Sequence, residues 1–180
     1  MKLCLDVHYE EHAARTACAG FEDWGDARAA LELVLLCESP PEPYEPGQFY
    51  KRELPHLLRA IERVRGRIAI DLVIVDGHVW LEEGQPGLGA HLHVAFGRVI
   101  PVIGVAKSSF RGGVAIPVLR GRSVEPLFVS AAGIEARAAA DLVRTMHGLH
   151  RIPSLLKRVD GLARGHALPN PGDDRRGGPG

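Results

Sequence analysis

The sequence predicts an α/β protein built on a mixed sheet flanked by helices, and three observations carry that expectation. The first is residues 68–78, IAIDLVIVDGH, a nearly continuous and largely β-branched apolar run that stops at Asp76-Gly77-His78. Such a run, without polar alternation, is the pattern of a strand covered on both faces, as in the parallel centre of an α/β sheet. The second is residues 2–9, KLCLDVHY, where Leu3, Leu5 and Val7 alternate with Cys4, Asp6 and His8 at the period of a strand. The third is residues 49–65, whose apolar positions 49, 54, 57, 58, 61 and 64 predict an amphipathic helix.

In chain order, residues 12–21 follow the first strand as its hairpin partner. Residues 29–37 form a third strand or a short helix, and the Leu33-Val-Leu-Leu-Cys run favours the strand. Residues 38–47, ESPPEPYEPG, hold four prolines around Tyr44, so they predict a stiff loop. Pro55 fits the following helix only in its first turn or at a kink. Beyond the central strand, residues 79–86 read as a loop and residues 87–96 as a helix stopped by Gly97. Residues 98–106 form another buried strand ending at Lys107. Residues 114–119 and 125–129 suggest a hairpin, and residues 134–147 and 153–164 two final helices. The folded domain is expected over residues 1–167. Its tail from Leu168, ending PNPGDDRRGGPG, is too polar and too rich in Pro and Gly to pack.

The bulk properties exclude several classes. A chain of 180 residues, 46% hydrophobic and 24% charged, is that of one ordinary globular domain. Lys plus Arg equals Asp plus Glu at 22 each, so any affinity for a polyanion must come from local clusters. Three cysteines without C-x-x-C spacing predict reduced, buried thiols, with no zinc site or disulfide framework. Nine histidines show no ligand spacing; His91 and His93, at i and i+2 of a helix, would not face each other. No signal-peptide pattern follows Met1, and no apolar run approaches the ~18 residues of a membrane helix. A soluble, cytoplasmic monomer with no membrane partner is expected.

Three acids share one logic. Asp6 lies on the first strand, Glu53 near the start of the long helix, and Asp76 at the end of the central strand. Ligands of open α/β sheets gather beyond the carboxyl ends of the strands, and the first and fourth strands of such an order commonly lie side by side. A mid-strand acid is costly unless paired or metal-bound. Three crowded carboxylates call for a divalent cation; Mg²⁺ suits oxygen-only ligation, and two such ions can clamp the attacking and leaving oxygens of a phosphodiester. The alternative is three unrelated turn or surface acids.

Several blocks in order and spacing then carry a resemblance. Pro43-Tyr44-Glu45-Pro46-Gly47, Arg52-Glu53-Leu54-Pro55, Val75-Asp76-Gly77-His78 and Gly104-Val105-Ala106-Lys107-Ser108 resemble the motifs of the endonuclease V family. Weaker likeness continues through residues 87–92, 126–130 and 151–153, so that it covers about residues 3–164. The resemblance implies a ribonuclease H-like fold and an Mg²⁺- or Mn²⁺-dependent endonuclease that recognises inosine in DNA or RNA and cuts on its 3′ side. It implies metal-binding roles for Asp6, Glu53 and Asp76, and a place near a phosphate for Lys107. Tyr44 and Pro46 would lie in a loop that wedges beside an extruded base, and Gly77 and His78 at the base pocket. Asp160 matches a degenerate acidic or histidine position, or is a helix-surface acid.

Departures from the family pattern concentrate around the pocket. Val79 stands where a glycine is common, Glu82 where a histidine is, and Glu83-Gly84 replace Pro-Arg. A side chain at 79 would obstruct a ligand, and carboxylates at 82 and in the wedge loop (Glu45) would repel a phosphate. The alternative is therefore a divergent nucleic-acid-binding relative with weak or no cleavage. Among basic residues outside the motifs, Arg111 is the favoured phosphate contact, since it follows Lys107 on one loop. Arg120, Arg122, Arg151, Lys157 and Arg158 are further candidates, though most are expected to be ordinary solvated charges.

Overall fold

The computed structural model describes residues 1–38 and 48–166. Seven strands form one sheet. β1 (Lys2–Tyr9), β2 (Ala14–Phe21) and β3 (Leu31–Cys37) make an antiparallel meander. β4 (Leu72–Asp76) lies parallel to β1 on its other side, with Leu3 opposite Val73 and Leu5 opposite Val75. β7 (Val102–Ala106) runs parallel to β4, β9 (Leu127–Ala132) antiparallel to β7, and β8 (Ile116–Val118) closes the far edge. The spatial order is β3-β2-β1-β4-β7-β9-β8, a mixed sheet with its parallel strands at the centre.

Helices cover both faces. α1 (Phe49–Arg65) and α2 (Leu88–Ala95) pack on one side, where Leu57, Ile61 and Val64 meet Leu3, Leu5, Val73 and Val102. α3 (Ala136–Thr145) and α4 (Ser154–Ala163) cover the other, where Val143, Leu155 and Val159 meet Cys4, Ile74, Ile103 and Val129. The alternation in β1 therefore divides side chains between two apolar cores, not between core and water. Asp6 continues the row of Cys4 and faces the α4 side, and Asp76 continues the row of Leu72 and Ile74 on the same face.

Several expected boundaries shift. β4 starts at Leu72: Ile68 and Ile70 are half-buried against the α1 side but belong to the connection out of α1. β7 starts at Val102, because Arg98 adopts φ 62°, a turn conformation that interrupts the expected strand. The expected loop at 79–86 contains a small hairpin instead, β5 (Trp80–Glu82) and β6 (Gln85–Pro86). Gly84 turns it at φ 74°, and the Trp80 indole anchors it by donating to the Ala131 carbonyl at 2.9 Å. Pro55 falls in the second turn of α1, not the first, on its exposed side. Cys4 and Cys18 are buried free thiols as expected, while Cys37 is only half-buried. The expected tail and most of the 38–47 loop, with Tyr44 and Pro46, lie outside the described residues. Among the described residues no helix is long and apolar enough to cross a membrane.

Candidate active site: an acid cluster at the ends of the parallel strands

Asp6 and Asp76 each follow the last paired residues of β1 and β4, Leu5 and Val75, so the parallel register brings them side by side. α4 crosses beneath this end of the sheet and contributes Asp160. One carboxylate oxygen from each of Asp6, Asp76 and Asp160 lies within 4.8 Å of the others. Glu53 reaches the same cavity from α1, on the opposite face of the sheet, and is only 8% exposed. Asp6 and Asp76 act on it through space.

The partners of these acids differ. Lys107, just past β7, donates from Nζ to Asp76 Oδ2 at 3.0 Å. Arg164 Nε donates to both oxygens of Asp160 at 3.1 and 3.2 Å, and the Val7 amide donates to Asp6 Oδ1 at 2.9 Å. Burial, with Asp76 and Asp160 beside it, pushes the Asp6 carboxyl up to about 6, against the opposing pull of the Val7 amide and Lys107. Burial, then the charges of Asp6 and Asp76, push Glu53 up to about 8, with Arg52 opposing. Burial alone would lower Lys107, but Asp76, Asp160 and Asp6 outweigh it and hold the ammonium on. Two carboxylates kept from ionising by each other and by burial, in an oxygen-only donor set, are the electrostatics of a divalent-cation site. Among the described residues this is the one group of three or more potential ligands close enough to share an ion.

The turn after β4 shapes the cavity. Gly77 adopts φ 129°, and its carbonyl lies 2.5 Å from where a Cβ on Gly104 would stand, so the Asp-Gly-His turn rests directly on the bare backbone of β7. His78 Nε2 donates to the Ser108 carbonyl at 3.0 Å, and its Nδ1 is buried without a partner among the described residues. Its ring meets Phe110 edge-on at 6.4 Å. Tyr50, stacked on His91 with centroids 3.5 Å apart, forms the opposite wall. The cavity has a volume of about 500 Å³.

The expected residues separate into clear groups. Asp6, Glu53, Asp76, Gly77, His78 and Lys107 all line this cavity. Arg111 is exposed and lies outside its walls, where its neighbour Phe110 stands. Arg120, Arg151 and Arg158 are engaged elsewhere, which corrects their reading as free phosphate contacts. Arg120 is 5% exposed and donates to the carbonyls of Arg144, Met146, Gly148, His150 and Arg151. Arg151 holds the carbonyls of Lys107 and Pro126 and the Glu125 carboxylate, and Arg158 pairs with Glu32 through two bonds of 2.6 Å.

Two suspected obstructions are absent. Val79 is fully buried, packed on Gly89 in the α1–α2 core, with its amide donating to Ser130 Oγ at 2.8 Å. Glu82 is exposed, faces Gly112, and does not line the cavity. Sequence reasoning undervalued Asp160, whose only signals were a degenerate motif position and its place one turn after Leu156. It did not single out Tyr50 or Phe110 as walls, since neither lies in a conspicuous motif.

Acids gathered past the ends of adjacent parallel strands, in a mixed sheet with helices on both faces, place the molecule among ribonuclease H-like proteins of the acid-cluster type. Residues 3–140 match the sequence profile of Endonuclease V, and the chain belongs to that family. The Endonuclease V of Rhodospirillum centenum is 35% identical over 154 residues, covering 73% of this chain and 62% of that protein. The chain thus spans about three fifths of that relative's length. The solved Endonuclease V of Streptomyces avermitilis superposes with a TM-score of 0.71 at 26% identity, over 91% of this chain and 79% of that one. The Ciona intestinalis Endonuclease V, solved with a 24mer DNA containing an inosine followed by a ribo-adenosine, shares the fold. Its TM-score is 0.78 at 19% identity, over 91% of this chain and 84% of that one.

Proposed function

We propose that this protein is a divalent-metal-dependent endonuclease that hydrolyses a phosphodiester on the 3′ side of inosine in DNA or RNA. The observation that carries the reading is the meeting of Asp6, Asp76 and Asp160 within 4.8 Å, with Glu53 buried beside them. Family membership and the inosine-containing DNA bound to the Ciona relative support the substrate class. The monomeric state and cytoplasmic location expected from the sequence belong to the same proposal.

The donor set fits Mg²⁺ or Mn²⁺: Asp6 and Asp76 in the middle, Asp160 on one side and Glu53 on the other. Bound there, such an ion would supply positive charge against the phosphate oxygens and make a water more acidic. The remaining work falls to side chains. Lys107, tethered to Asp76 Oδ2, places a fixed positive charge beside a non-bridging phosphate oxygen. The Asp76-Gly77-His78 turn holds a flipped base between the walls made by Tyr50 and Phe110, with the loop of Tyr44 and Pro46 filling the vacated stack. Arg111, exposed beside Phe110, reaches a flanking phosphate. The core position of Val79 and the outward position of Glu82 support cleavage over mere binding, because they leave cavity and acids unobstructed.

The test is incision of an inosine-containing oligonucleotide in Mg²⁺, against the same strand without inosine. Asp6→Asn and Glu53→Gln are each expected to lower the rate by at least about a hundredfold, the scale of losing one preorganised electrostatic group. Incision indifferent to both substitutions would overturn the site. Inosine-dependent affinity that weakens with salt, without any cut, would replace the nuclease by a binding protein.

A further inference from the structure

A second cavity, of about 280 Å³, opens on the α4 side of the acid cluster. Asp6, Asp76, Lys107 and Asp160 line both cavities, whereas Glu53, His78, Tyr50 and Phe110 line only the first. The acids therefore stand as a ridge between two hollows. The walls of the second are Val105 from β7, Leu127 from β9, and Ile152, Leu156 and Val159 at and before α4. Leu156 and Asp160 stand one turn apart on α4, and Ile152 lies two residues before its start, so the hollow extends from the acids toward the N-terminal end of α4. Its mouth carries Lys107, His150, Arg151 and Lys157. Lys157 is exposed and makes no ion pair among the described residues.

Hydrogen bonds hold the rim of the hollow in place. Arg151 ties its rim to the Lys107 and Pro126 carbonyls, and the buried Arg120 gathers the carbonyls of the 144–151 segment behind it. An apolar slot with Lys107 and Lys157 at its lip matches a flat heterocycle joined to a phosphate. Its volume lies just below the ~300–1,000 Å³ of sites for larger ligands and suits a single ring system. A polynucleotide whose phosphodiester rests on the ridge must place its neighbouring nucleosides on either side.

We propose that this second cavity is a subsite for the nucleobase immediately 3′ of the cut phosphodiester. The proposal deepens the nuclease reading and rests on it. The extruded inosine side of the strand occupies the first cavity, and the next base past the cut enters the second. There the half-buried Leu156 and Ile152 cover its faces and Lys157 meets the phosphate that follows. Affinity is thereby drawn from a base that carries no lesion, so any of the four bases is accepted.

The experiment uses inosine-containing oligonucleotides, each with a single abasic site at one successive position around the cut, and reads KM and kcat. Loss of the base immediately 3′ of the cut is expected to raise KM by about tenfold, the scale of losing ~60 Å² of apolar contact. Loss of the bases further 3′ changes it far less. Leu156→Trp fills the slot, so it raises KM for the intact substrate to the abasic level and makes that abasic site silent. 2-Aminopurine at the same position changes its fluorescence on binding to the unaltered protein, and Lys157→Ala lowers the slope of affinity against salt by about one; both hold whether or not the tryptophan variant folds. Equal KM at every 3′ position and unchanged aminopurine fluorescence, with cutting intact, would overturn the subsite and leave the nuclease standing. Failure to cut any inosine substrate, metal supplied, would instead overturn the reading on which it rests.

Discussion

Glu53 is the residue on which the electrical balance of the site turns. Its carboxyl, raised to about 8 by burial and by Asp6 and Asp76, and that of Asp6, raised to about 6, hold protons in the folded chain that the unfolded chain would release near 4. Below the unfolded values both states are protonated, and the stability tied to these groups is fully present. Between about 4 and 8 the folded state binds more protons, so stability falls as pH rises and levels off above about 8. The metal-free protein is therefore expected to melt several degrees lower at pH 8 than at pH 5. Each pKa unit is worth about 1.4 kcal/mol, and each kcal/mol about 2–4 °C for a chain of this size. Protons compete with cations for the same oxygens, so Mn²⁺ titrations monitored by calorimetry should show affinity rising from pH 6 to 8. A flat melting profile in the absence of metal would mean that these carboxyls ionise freely. At this scale the sequence was partly legible. Asp6, Glu53 and Asp76 stood out because mid-strand and strand-end acids are conspicuous. Asp160 did not, because an acid on an amphipathic helix has the same appearance whether it faces water or a neighbouring carboxylate.

Two local constructions hold the elements at this end of the sheet. The Asp-Gly-His turn lies against β7 at Gly104, where a methyl group would stand 2.5 Å from the Gly77 carbonyl and 2.8 Å from the Val79 amide. Gly104→Ala should therefore cost about 1–3 kcal/mol, seen as a lower urea midpoint, and should displace Asp76 enough to lower activity further than stability. Arg120 gathers five carbonyls from the end of α3 and its connection to α4. Arg120→Leu keeps the bulk but strands several acceptors, so a loss above about 2 kcal/mol is expected in equilibrium unfolding, with little recovery in Arg120→Lys, which lacks the fork. Sequence could not separate this arginine from solvated ones, since burial of a cation by backbone carbonyls leaves no periodic trace. The 80–86 hairpin escaped for a related reason: Trp80 is held by a hydrogen bond to distant Ala131, and three-residue strands carry too short a pattern to read.

Over the whole molecule, the order of the long elements was legible because each carried its own period. The amphipathic stripe predicted α1 at residues 49–65, where it lies, and apolar runs marked β4 and β7 to within four residues. That β1 and β4 lie side by side was expected from topology alone, and their parallel register is what joins positions 6 and 76. What the pattern did not disclose is that β1 serves two cores at once, since strict alternation ordinarily signals one wet face. The four acids are distributed accordingly: two from the sheet, Glu53 from the helix layer above it and Asp160 from the layer below. Metal held by Asp6, Asp76 and Asp160, with Glu53 beside them, would act as a rivet through three layers. Its removal should loosen the start of α1 and the end of α4 together, though they lie on opposite sides of the sheet, and amide exchange should quicken in both when chelator is added. Quickening in one helix alone would mean that the other carries no share of the ligation.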